Sequence, residues 1–140
     1  MLEFTFVYGE NGYLLSEALR KEIFERDFSD DKEAESYHIV GYDKTTQIAI
    51  GRFFAESEGV CRIDFVGVRE DYRRQFVGDL VVKAIEDKAK TLGMKKSVLR
   101  TPQSALPFFE FEEYEAVGEA DGKTDMQKDL TVVRKCRGCR

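Results

Sequence analysis

The sequence predicts a mixed α/β (α+β) fold, a largely antiparallel sheet flanked by helices, and three observations carry that prediction. The chain has 140 residues, 42 % of them hydrophobic, with 11 Phe and 6 Tyr, enough apolar mass for one domain around one core. Its apolar pattern switches between the two-residue period of strands and the three-to-four-residue period of helices, giving the order β-α-β-β-β-α-β-α-β-β. Three of those strands follow one another through turns too short to hold a helix, so they must pair antiparallel.

Residues 2–8, Leu-Glu-Phe-Thr-Phe-Val-Tyr, are rich in aromatic and β-branched side chains and read as a strand that Gly9–Gly12 breaks. From Tyr13 to about Asp27 the positions Leu15, Ala18, Leu19, Ile23 and Phe24 recur at helical spacing, with Asn11 or Ser16 as caps. The acidic run 29–35 reads as a solvated loop or short helix. Strands are expected at Tyr37–Tyr42, Gln47–Ala55 and Val60–Val68, joined by the turn-like segments 43–46 and 56–59. Gly78–Leu92 then places Leu80, Val81, Ala84, Ile85, Ala89 and Leu92 on one stripe, with Asp79 at the positive end and Gly93 as the stop. Lys95–Leu99 reads as a strand, Ser104–Phe109 as a short helix, and Tyr114–Gly118 and Met126–Val133 as closing strands. Residues 1–133 form one domain in this reading and 134–140 a basic tail.

Lys and Arg total 22 against 27 Asp and Glu, a net charge of −5, which argues against a nucleic-acid-coating or anionic-membrane surface. No apolar run reaches the roughly 18 residues that span a bilayer, and the start Met1-Leu2-Glu3-Phe4 lacks the marks of a secretory signal, so a cytoplasmic location is expected. Three cysteines do not make a disulfide scaffold, and reduced thiols follow. Cys136 and Cys139 supply two of the four ligands a structural zinc needs, so no metal is expected and the tail reads as a frayed basic end with oxidisable thiols.

The chemistry-bearing segment is the loop 69–77 between a strand ending at Val68 and a helix opening at Gly78. A helix N-terminus offers unpaired N–H groups and a positive dipole end, and Arg73 and Arg74 add charge, which together suit a phosphate or pyrophosphate. The alternative is a surface loop whose arginines pair with Glu70 and Asp71. Neither GxxxxGK[ST] nor GxGxxG is present, which disfavours a nucleoside triphosphatase or a dinucleotide enzyme.

Val66-Gly67-Val68 followed by Tyr72-Arg73-Arg74-Gln75-Phe76-Val77-Gly78-Asp79-Leu80 resembles the acetyl-CoA signature Arg/Gln-x-x-Gly-x-Gly/Ala of the GCN5-related N-acetyltransferase (GNAT) superfamily. Arg73 matches its first position and Gly78 its last, and Ala105-Leu106-Pro107-Phe108-Phe109 is similar to the family's Ala-x-x-Phe-Tyr segment. The element order over residues 2–133 fits the same fold. The resemblance implies that Val66, Gly67 and Val68 lie along the pantetheine arm of acetyl-CoA. It implies also that Arg73, Arg74, Gln75, Phe76, Val77, Gly78 and Asp79 wrap its phosphates. It implies direct attack of a small-molecule or protein amine on the thioester, and a homodimer is within the family's habits.

Two positions depart from the pattern. Phe76 stands where the family has its first glycine, and its side chain would crowd the pyrophosphate. Phe109 stands where the family often has its acid tyrosine, and it has no proton to donate. For the base, strand alternation puts Asp64 on the face of Val66 and Val68, and the alternative is a structural pair with Arg62 or Arg52. Glu56 and Glu58 are weaker candidates beside a turn. Tyr114 and Tyr72 are candidates to replace the missing acid, against the alternative of packing aromatics. Cys61, on the face opposite Asp64, reads as an inert core thiol, and His38, with no second histidine, as a packed or rim residue. The sequence therefore supports an acetyl-CoA-dependent N-acetyltransferase, with a catalytically idle binding or regulatory module of the same fold as the alternative.

Overall fold

The computed structural model describes residues 2–25 and 29–132. Seven strands form one sheet in the order β1-β2-β3-β4-β5-β7-β6. β1 (Leu2–Tyr8), β2 (Tyr37–Asp43), β3 (Thr46–Ser57) and β4 (Val60–Val68) make an antiparallel run. β5 (Lys96–Pro102) joins β4 in parallel and β7 (Lys123–Asp129) antiparallel, and β6 (Glu115–Ala120) pairs with β7 at the edge. Three helices complete the fold: α1 (Glu10–Phe24), α2 (Val77–Thr91) and α3 (Leu106–Phe111).

The expected element order is the observed one, and the boundaries that differ have local causes. α1 begins at Glu10 rather than Tyr13, because Gly12 sits inside it against β1: a Cβ there would lie 2.3 Å from the Val7 carbonyl oxygen. A pair of glycines thus opens this helix instead of only ending the strand. The last hairpin turns at Asp121 and Gly122, both with positive φ (54° and 75°), the geometry that Asp-Gly favours in a two-residue turn. That turn shifts β6 later, to Glu115–Ala120, and β7 earlier, to Lys123–Asp129, than apolar content alone suggested. Beyond Leu130, the residues from 133 onward, including the cysteine-containing tail, lie outside the described part, as does the expected end of α1 at Asp27.

The core lies mainly between the sheet and α2. Val77, Val81, Val82, Ile85 and Ala89 of α2 pack on Ile39, Phe53, Cys61, Ile63, Leu99 and Met126, all buried. α1 covers the other face, where Leu19 meets Val40 and Ile50, with Ile23 and Phe24 alongside. Ile39 and Val40 thus face opposite layers, as neighbours on one strand must. α2 stops as expected: Gly93 takes φ 87°, its N–H reaches Lys90 O at 2.9 Å, and Met94 N–H reaches Ala89 O at 2.9 Å.

Two irregularities in β4 position everything that follows. Its ladder to β5 covers only Val60–Arg62 against Lys96–Val98, so the two parallel strands part company beyond Arg62. Against β3, Asp64 pairs with Arg52 and Gly67 with Ile50, which leaves Phe65 and Val66 opposite the single residue Gly51. This is a β-bulge, and Phe65 carries its positive φ of 51°. The extra residue reverses the alternation. Cys61, Ile63, Val66 and Val68 join the α2-side core, whereas Asp64 faces the α1 side with Arg52, and Phe65 places its ring 5.8 Å from that of Phe24. A Cβ on Gly67 would also touch Ile23 of α1. The expectation that Asp64 shares a face with Val66 and Val68 is therefore corrected, and the bulge is the reason.

Candidate active site

Past the end of β4 the chain runs through a tight turn at Glu70–Tyr72 and enters α2. Arg69 N–H bonds Ile48 O at 2.8 Å, Tyr72 N–H bonds Arg69 O at 2.9 Å and Arg73 N–H bonds Glu70 O at 3.2 Å. From there the pattern stops: the amides of Arg74, Gln75, Phe76, Val77 and Gly78 make no hydrogen bond among the described residues. α2 has no side-chain N-cap either. Five successive open donors at the positive end of a 15-residue helix form a concave anion receptor.

Arg74 and Phe76 adopt left-handed backbone, φ 65° and 62°. Such a conformation costs a side chain about 1 kcal/mol or more and costs glycine little. Phe76 keeps the backbone of the signature's glycine position, and its ring points outward, 70 % exposed. It borders the cleft without filling it. Gly78 is needed for a different reason: a Cβ there would lie 3.2 Å from Phe108 of α3, so the helices meet closely at this point.

The loop, the start of α2 and α3 enclose a cleft of about 630 Å³. Val68, Val77, Pro107, Phe108 and Phe111 make its apolar wall, and Tyr72, Arg73, Arg74, Asp79 and Glu112 its polar groups. Arg73 is oriented by its own strand end, since its Nε donates to Val68 O at 3.0 Å. Tyr72 donates its hydroxyl to Asp43 at 2.6 Å, which raises its pKa. Gln75 lies outside the wall, its amide nitrogen donating to Asp71 O at 3.3 Å. Val66 stands behind the cleft, packed on the core, and Gly67 is turned toward α1.

Glu112 is the cleft residue that sequence reasoning missed. It is 1 % exposed, its Oε1 accepts from Lys83 Nζ at 3.2 Å, and Oε2 is buried without a hydrogen-bond partner. Burial, reinforced by neighbouring Asp79, pushes its carboxyl up to about 7. Nothing in the acidic run Glu110, Glu112, Glu113 distinguishes the buried member from the others.

Asp64 does not line the cleft. Both its oxygens accept from Arg52, Nε at 2.7 Å and Nη2 at 2.6 Å, as the alternative reading held. Arg52 also binds Asp30 at 2.7 Å and Glu33 at 3.2 Å, while Arg20 grips Glu33 at 2.5 Å. Desolvation raises Asp64, although Arg52 pulls the other way. Glu33, expected on a solvated loop or short helix, lies in a short 3-10 turn (Glu33–Glu35) and is 2 % exposed because it neutralises these two buried guanidinium groups. His38 is fully buried beside it, Nε2 facing Glu33 O at 3.2 Å, and burial lowers its pKa, so it is neutral.

Tyr114 is likewise not brought to the cleft. It is 4 % exposed, with its hydroxyl donating to Glu86 Oε2 at 3.0 Å and lying 2.6 Å from Ser97 Oγ. Lys128 completes this network, its Nζ 2.9 Å from Glu86 Oε1 and from Glu112 O. Burial raises Tyr114 above the ordinary phenol range, and its hydroxyl is turned into the core rather than toward the cleft. Phe109 packs edge-on against it with ring centres 5.9 Å apart. Cys61 is a buried free thiol pushed up to about 12 by desolvation.

A family model described as the Acetyltransferase (GNAT) family matches residues 5–111. The uncharacterized N-acetyltransferase YjcF of Bacillus subtilis is 29 % identical over 92 residues, which are 66 % of this chain, and the chain spans 65 % of the length of that curated relative. An acyl-CoA N-acyltransferase from Pseudomonas aeruginosa superposes with a TM-score of 0.78 at 17 % identity, covering 91 % of this chain and 99 % of the other. The PaiA N-acetyltransferase of Thermoplasma acidophilum, in complex with coenzyme A, superposes at 0.70 with 13 % identity, covering 92 % and 99 %. At such identities the superpositions speak for the fold alone.

Proposed function

Since the chain belongs to the GNAT acetyltransferase family, we propose that it is an N-acetyltransferase that moves an acetyl group from acetyl-CoA to a primary amine of a small molecule or protein. The observation that supports this most is the row of open amides from Arg74 to Gly78 at the mouth of an apolar-walled cleft. The residues present fit the cofactor: the amides and the Arg73 and Arg74 guanidinium groups would hold the diphosphate, and Val68 and Phe108 would flank the pantetheine arm. Acetyl-CoA supplies the activated thioester carbonyl.

The chain's own groups divide the remaining work. The parting of β4 from β5 beyond Arg62 leaves strand edge available to the arm and to the thioester oxygen. Asp64, 31 % exposed on its side chain, is the proposed acceptor of the ammonium proton, because desolvation raises its proton affinity. It lies on the α1 face, so the amine would approach from the side opposite the cleft, through the gap between the two strands. Tyr114 takes no part in this scheme. A cytoplasmic location fits such a reaction, and no helix among the described residues is long and apolar enough to cross a membrane.

The test is thermal protection. Coenzyme A at about 100 times its Kd should add about 2.7 kcal/mol of stability. Arg73→Glu should abolish the shift by setting a negative charge against the phosphates. The absence of any shift in the wild-type protein at millimolar coenzyme A would remove the reading. Turnover on a panel of amines, lost in Asp64→Asn, would separate the enzyme from an idle module, a reading favoured by the lack of a free tyrosine hydroxyl at the Phe109 position.

A further inference from the structure

The cleft contains a proton site that the acetyl-transfer scheme does not use. Asp79 and Glu112 lie on the same wall, one from α2 and one from the end of α3, and share a single cation. Lys83 Nζ is 2.6 Å from Asp79 Oδ1 and 3.2 Å from Glu112 Oε1, and its side chain is 57 % exposed. The backbone of Glu112 is anchored, since Lys128 Nζ donates to its carbonyl at 2.9 Å and its own N–H donates to Phe108 O at 3.1 Å. Its Oε2 is buried and receives no bond from a standing donor, with the Asp79 carboxyl beside the group.

The charged groups around it come from three elements. α2 supplies Asp79 and Lys83; β7 supplies Lys128, which Glu86 already neutralises at 2.9 Å; the loop supplies Arg73 and Arg74 on the same cleft wall. Two carboxyl groups against one solvated ammonium cannot both remain ionised cheaply, and a diphosphate brought to the amides beside them adds further negative charge.

We infer that Glu112 is a proton-carrying residue of the cleft, taking one proton from solvent onto its buried carboxyl when a diphosphate-bearing ligand binds. The inference rests on the acetyl-CoA reading for the identity of that ligand, and on the carboxyl pair for its chemistry. Neutral Glu112 removes one negative charge from the ligand's path, so affinity should fall as pH rises.

The experiment is titration calorimetry on the full chain between about pH 6 and pH 8, in two buffers of different ionisation enthalpy, with coenzyme A and separately with inorganic pyrophosphate. The wild-type protein should take up close to one proton more than Glu112→Gln near the top of that range, and its Kd should weaken roughly tenfold more across it. The ligand's own phosphates titrate alike in both proteins, so the difference belongs to Glu112. Asp79→Asn, which removes the neighbouring charge, should reduce the uptake and provides an independent variant if Glu112→Gln fails to fold. Equal proton counts in wild type and both variants, with coenzyme A bound, would overturn the inference and leave the acetyl-CoA reading standing. Uptake with pyrophosphate but no binding of coenzyme A would do the reverse, and binding of neither ligand would overturn both.

Discussion

On the α1 face of the sheet, Arg20 and Arg52 meet Asp30, Glu33 and Asp64 at 2.5–3.2 Å; on the α2 face, Asp79 and Glu112 share the ammonium of Lys83. Both clusters bury carboxylates, yet they solve desolvation differently. Arginine forks satisfy several oxygens at once and cannot lose their proton, so Glu33 tolerates near-complete burial there. A single exposed lysine leaves Glu112 with an unpartnered oxygen and a carboxyl pushed up to about 7. The difference teaches that fixed donors decide how many buried carboxylate oxygens are matched, while desolvation raises Asp64 and Glu112 alike.

The largest effect should come from breaking the well-matched cluster. Arg52→Met leaves Asp30 and Asp64 without their arginine and Glu33 with Arg20 alone, and should destabilise the fold by about 3–5 kcal/mol, read from the midpoint of urea unfolding. A loss below about 1 kcal/mol would mean that the cluster is not held as described. Glu112→Gln probes the other side with the opposite sign. A carboxyl raised from 4.5 to about 7 on folding favours the folded state most at low pH, and that contribution is lost as pH rises toward and through about 7. The variant should therefore gain about 1–3 kcal/mol over wild type at about pH 8 and little at about pH 4. The pH dependence of the unfolding midpoint checks it, and parallel curves would count against it.

Lys83→Met removes the one cation of the weaker cluster. It should raise Glu112 further and cost at most about 1 kcal/mol at neutral pH, since Lys83 is more than half exposed. A carboxyl titration followed by NMR would show the direction. The smallest effect belongs to Arg62 and Glu56, a surface pair on the same sheet, where Arg62→Ala should shift stability by no more than about 0.5 kcal/mol.

Much of the framework was readable because it follows from period and punctuation. The stripe from Leu80 to Leu92 and the stop at Gly93 are local properties of one helix, and α2 conforms to them. The open amides at its start follow from helix geometry and need no side-chain signal. What stayed hidden depends on register between distant segments. The bulge at Phe65 arises from how β4 pairs with β3, and a single strand read alone shows unbroken alternation. Glu33 looked solvated within an acidic run, and only the placement of Arg20 and Arg52, 13 and 19 residues away in sequence, buries it. The Asp121-Gly122 pair is a local turn signal that outweighs apolar content in setting the ends of β6 and β7. Tyr114 reads from sequence as either a replacement acid or a packing aromatic, and its placement among Ser97 and Glu86, set by tertiary packing, decides for the latter.

One inserted residue gives β4 two sides of different character within five positions. Without Phe65's detour, Asp64 and the valines that follow would crowd a single doorway, and whatever sat along Val66 and Val68 would bar the route to the carboxylate. In the proposed reaction the strand would work as a partition pierced by a window, donor and acceptor entering from opposite rooms and meeting where the neighbouring strand has drawn aside.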